Sequence, residues 1–106
     1  MKHRLSLPEQ KHILSLYIIR ASGRPRELLE VLLSAYPKPM SGSELKRALN
    51  MTGSHALPSA VRNAEIFIDV IKRYDSTEKT TYYQLDDACV QRVALNQLLN
   101  RVMGSG

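Results

Sequence analysis

At 106 residues the chain has room for one domain with one modest core. A hydrophobic content of 43% argues against disorder, and 15 Lys and Arg against 10 Asp and Glu, a net charge of +5, favour polyanionic partners. The single cysteine, Cys89, rules out an internal disulfide, and no apolar run reaches the length of a signal-peptide core or a membrane span, so a reducing, cytoplasmic setting is expected.

The first element is announced by Ser6-Leu7-Pro8-Glu9, a serine acceptor with a glutamate three residues on, which is capping-box spacing. It opens a helix expected to run to about Arg20, spanning residues 6–21 with its ends. Ile13, Leu14, Leu16, Tyr17, Ile18 and Ile19 lie on nearly every side of that helix, which requires cover from more than one direction. Ser22-Gly23-Arg24 breaks it, and Pro25 suits the first turn of a second helix. Leu28, Leu29, Leu32, Leu33 and Tyr36 give that helix a core-facing stripe before Pro37-Lys38-Pro39 stops it.

Ser41-Gly42-Ser43-Glu44 is a second capping box. The short helix it starts is expected to turn Leu45, Ala48 and Leu49 inward and Lys46 and Arg47 elsewhere. Asn50-Met51-Thr52-Gly53-Ser54 reads as a turn. A fourth helix then runs from His55 or Pro58 to Ile68, with Leu57, Val61, Ala64 and Ile68 in one narrow stripe. His55, Ser59, Arg62 and Ile66 occupy its opposite face, with Asn63 at the border.

The periodicity changes at Val70. Residues 70–74 and 80–85 are rich in β-branched and aromatic side chains and flank the polar stretch 75–79, which predicts a β-hairpin. Asp86 or Asp87 then caps a final helix over residues 86–103, in which Leu95, Leu98, Leu99 and Val102 form an apolar stripe. Residues 104–106 are read as a tail. The fold class expected is mainly α with a β-hairpin, α+β, in a single domain.

The order helix, short helix, turn, helix, hairpin over residues 25–85 resembles the winged helix-turn-helix superfamily. The likeness is carried by Ser41 to Leu49, the turn at Gly53, the Leu57/Val61/Ala64/Ile68 stripe, Ile71-Lys72-Arg73 and Thr81 to Leu85. It departs from that pattern in the long turn containing Pro58. The resemblance implies a sequence-specific DNA-binding regulator of bacterial or phage type, with the helix over residues 58–68 in the major groove. The hairpin over residues 70–85 would serve as the wing, and the terminal helices as elements of a homodimer.

The outward residues supply matching chemistry. Arg62 can donate twice to guanine, and Asn63 can pair with adenine. Ser54, His55 and Ser59 stand where phosphates or base edges are reached, while Lys46, Arg47, Lys72, Arg73 and Lys79 would neutralise phosphates. Ordinary surface roles fit the same residues: Arg62 on a solvated helix, Lys72 and Arg73 as charges that block edge pairing.

Catalytic patterns are missing from the sequence. His3, His12, His55 and Cys89 are scattered without metal-ligand spacing, no glycine-rich phosphate loop occurs, and no cofactor is implied. The alternative to DNA binding is a winged-helix protein-interaction module. DNA binding requires the cations to share one surface, whereas an adaptor would scatter them and leave an apolar patch exposed.

Overall fold

The computed structural model of the chain describes residues 5–53 and 56–104. The chain is mainly helical with a small antiparallel sheet, an α+β arrangement. Helix α1 spans Leu7–Tyr17, α2 Gly23–Ala35, α3 Gly42–Ala48, α4 Ala56–Ala64 and α5 Asp87–Gly104. Strands β1 (Met40–Ser41), β2 (Val70–Asp75) and β3 (Thr80–Leu85) form one sheet in the order β1-β3-β2. No helix among the described residues is long and apolar enough to cross a membrane.

Both capping boxes form as their spacing requires. The Ser6 hydroxyl accepts the Glu9 amide, the Ser41 hydroxyl accepts the Glu44 amide, and each glutamate carboxylate accepts its serine amide in return. These bonds hold the carboxyls of Glu9 and Glu44 below the usual glutamate range. Asn50 closes α3 in the left-handed region, φ 55°. Its amide reaches the Arg47 carbonyl at 3.2 Å and the Met51 amide reaches the Lys46 carbonyl at 2.8 Å, a Schellman ending with asparagine in the usual glycine place.

The core is centred on α2, whose Leu28, Leu29, Leu32 and Leu33 are all buried. Leu14 and Ile18 approach from the N-terminal segment, Leu45 from α3, Val61 from α4, Leu85 from β3 and Val90 from α5. Truncating Leu29 to alanine would cost about 2–5 kcal/mol, a large share of the stability of a domain this size.

Several expectations are corrected. The first helix does not continue to Arg20 as α: Ile18–Arg20 tighten into a 3-10 turn. Ala48 is exposed rather than inward, because the seven-residue α3 buries little beyond Leu45 and, at its end, Leu49. The fourth helix, described from Ala56 and including Pro58, stops at Ala64 rather than Ile68, and its expected start at His55 falls outside the described residues. There the amides of Phe67 and Ile68 both turn back to the Ala64 carbonyl, at 3.0 and 3.3 Å. Strand β2 extends one residue further, to Asp75, and β1 escapes sequence reading because two residues carry no periodicity.

Over residues 87–100 of α5 the buried side chains are Cys89, Val90 and Ala94, while Leu95 and Leu99 of the apolar stripe are 36% and 57% exposed. Leu98 alone of that stripe's described side chains packs against the core. Cys89 is buried, and its sulfur accepts the Asp69 amide at 3.4 Å.

Ser41→Ala removes one side of the α3 capping box and is expected to lower unfolding stability by about 1 kcal/mol in urea titrations. The Glu44 contribution is present above the ordinary glutamate pKa and is lost as the pH falls through the lowered folded value. The variant should therefore show a shallower loss of stability on the acid side than the parent chain.

Candidate nucleic-acid interface

Helix α4 presents two chemically distinct sides. Leu57, Ala60, Val61 and Ala64 are buried against the core, and Ser59, Arg62 and Asn63 are exposed on the other side. Arg62 forms no ion pair among the described residues. Ile66, just past the helix, is 77% exposed. Ser54 and His55, the other two residues expected near the helix start, lie outside the described residues.

Two lysines flank the N-terminal end of α4. Lys46 from α3 and Lys79 from the hairpin line one cleft of about 270 Å³ with Pro58, Ser43 and Thr81. Lys79 is placed there by the turn itself. The Asp75 carboxylate accepts the amides of Thr77 and Glu78 at 2.9 and 3.3 Å, folding the loop back on the strand end. Lys79 completes the reversal in the left-handed region, φ 51°, and Thr80 begins β3 opposite Asp75.

Lys72 and Arg73 do not share a surface. Adjacent strand residues point to opposite faces, and Val70, Tyr83 and Leu85 mark the face packed on the helices. Lys72 lies on that face, opposite Tyr83 in register, and reaches the Glu65 carboxylate at 3.7 Å. Arg73 lies on the outer face opposite Tyr82, in a hollow of about 440 Å³ with Ile71, Pro39 and Gln84. Arg47 is exposed on α3 but lines neither cleft beside α4.

Arg24 joins the site although nothing in the sequence pattern singles it out for DNA contact. It stands at the start of α2, where its guanidinium donates to the Leu49 carbonyl at the end of α3 and pairs with Glu27 at 3.5 Å. A second cleft, about 350 Å³, sets Arg24 beside Asn50, Ser59 and Asn63. Only the packing of α2 across the α3–α4 turn brings it there. The one local signal is that Arg24 precedes Pro25 at a helix start, where its long side chain is free to reach another element.

The tyrosines of β3 keep their protons. A hydrogen bond to the Glu78 carboxylate at 2.9 Å raises the Tyr82 hydroxyl, and burial raises that of Tyr83. Among the described residues no three His, Cys, Asp or Glu side chains gather as a metal site. Compared with known proteins, the chain matches no family model, no curated protein and no solved structure.

A left-handed lysine is a conformational cost that glycine avoids. Lys79→Gly is expected to leave thermal stability unchanged or raise it by up to about 1 kcal/mol, while removing one cation from the cleft. A melting curve beside the parent chain checks this, and a clear loss of stability would show that the Lys79 side chain itself holds the hairpin.

Proposed function

We propose that this chain is a DNA-binding regulator domain, a winged helix-turn-helix that lays the outward side of α4 in the major groove. The observation that carries this proposal is the arrival of cations from three separate elements around one helix. Lys46 of α3 and Lys79 of the hairpin flank its N-terminal end, and Arg24 of α2 stands beside Ser59 and Asn63. In this assignment Arg62 and Asn63 read base edges, and the three flanking cations bind backbone phosphates.

The wing acts through its tip more than through its strand. Arg73 belongs to the sheet face turned away from the helices, outside the footprint of α4. Lys72 faces the right side, and its exposed pair with Glu65 is worth about 0–1 kcal/mol, little enough for a phosphate to displace. The order α2, α3, α4, hairpin, with the hairpin tip folded beside α4, supports the winged-helix form.

One observation favours the second reading, a protein-interaction module: Ile66 and Tyr74 are 77% and 62% exposed, and the cations are partly divided between two faces. The separating experiment is selection from a pool of random-sequence duplexes, followed by binding titrations across a salt series. Arg62→Ala should weaken the selected sequence by about 10- to 100-fold and relax its preference. Lys46→Gln with Lys79→Gln should reduce the salt slope by about 2 and weaken all duplexes alike. Arg73→Gln should change little. Absence of binding at low salt, or an Arg73 effect equal to that of the two lysines, overturns the assignment and favours the module.

A further inference from the structure

Strand β2 is an open edge. The sheet places β3 between β1 and β2, so the six residues of β2 have a strand on one side only. Among the described residues no backbone hydrogen bond reaches residues 70–75 from outside the β2–β3 pairing, and β3 is the only element that packs extensively on them. The opposite edge, β1, is two residues long. An uncovered row of amides and carbonyls at strand spacing is a template on which an extended segment pairs.

The charges on this edge select the segment. Lys72 and Arg73 stand at its middle, one on each face of the sheet. Arg73 forms neither an ion pair nor a side-chain hydrogen bond among the described residues, and the Lys72 pair with Glu65 is exposed. Like charges directly opposite destabilise a strand pair and opposite charges stabilise it, so this edge disfavours a basic strand and favours an acidic one. The same cations count against a second copy. Every antiparallel register that pairs five or six residues of β2 with its counterpart sets cation against cation, Lys72 against Arg73 or either against itself.

The outer face adds a place for an apolar side chain. The hollow of about 440 Å³ beside Arg73 is bordered by Ile71, which is 41% exposed, and by Pro39. Residues Arg73 to Ser76 line it in succession, so it meets the main chain of β2 as well as its outward side chains.

We propose that β2 takes an extended acidic segment of a partner protein as a fourth strand. A carboxylate lies opposite Arg73, and an apolar side chain two residues away, on the same face, seats beside Ile71 in the hollow. This site does not rest on the DNA assignment and is tested without DNA.

Display of random dodecapeptides against the full chain should select sequences with an acidic and an apolar residue two positions apart. A selected peptide carrying fluorescein should bind Arg73→Glu about 10-fold or more weakly by polarisation, while the circular dichroism spectrum of this exposed-site variant stays unchanged. N-methylation of alternate peptide residues separates strand pairing from charge attraction. One phase should abolish binding and the other leave it intact, because a strand turns successive amides to opposite edges. Failure to select any peptide overturns the proposal, as does equal affinity for Arg73→Glu or an equal effect of the two methylation phases. Slowed hydrogen exchange of β2 amides on self-association, without peptide, would assign the edge to a second copy and overturn it as well.

Discussion

The leucine face of α2 is the surface around which the core is assembled. Leu28, Leu29, Leu32 and Leu33 are buried together, and α1, α3, α4 and β3 each reach this helix. Interiors pack at crystal-like density, so a helix that fills one side of α2 fixes where its own outward side points. Helix α4 is the case that matters for the proposed function. Leu57, Val61 and Ala64 settle toward the core, and Ser59, Arg62 and Asn63 are turned outward by the same 3.6-residue geometry. The clefts that bring Lys46, Lys79 and Arg24 to that helix are consequences of how α3, the hairpin and α2 pack around it.

Short polar devices govern the loops between these packed elements. The capping box at Ser41 and the left-handed Asn50 bound α3 to two turns, and the Asp75 carboxylate folds the hairpin tip. Each is worth little beside the core, about 1 kcal/mol for a cap. Their effect is directional: they decide where Lys46 and Lys79 stand, and cation placement is what a polyanion recognises. In the same way a single strand step separates Lys72 from Arg73, so two neighbouring cations serve different faces.

Much of the fold is legible in the order of residues. Helix starts at Ser6 and Ser41, the α4 stripe and the two long strands follow from local geometry, and each forms within a few residues of its expected place. The departures share a cause, which is that apolar periodicity reports a face without saying what covers it. Leu95 and Leu99 form a regular stripe yet lie outward, because Cys89, Val90 and Ala94 already fill the side toward α1. Ile68 is buried but not helical: it enters the core from a turn that has already left α4 at Ala64.

The candidate site divides along the same line. Residues brought together by one element are readable: Ser59, Arg62 and Asn63 share a side of α4 because helical spacing alone requires it. Residues brought together by different elements are not. Arg24 meets Ser59 and Asn63 across 35 or more positions of chain, and Lys46 meets Lys79 across 33. By itself the sequence determined the long elements, their capping boxes and the chemistry of each face, since those depend on contacts a few residues apart. Tertiary structure alone decided which faces meet and which cations gather, because those outcomes depend on how a few large side chains fill one shared core.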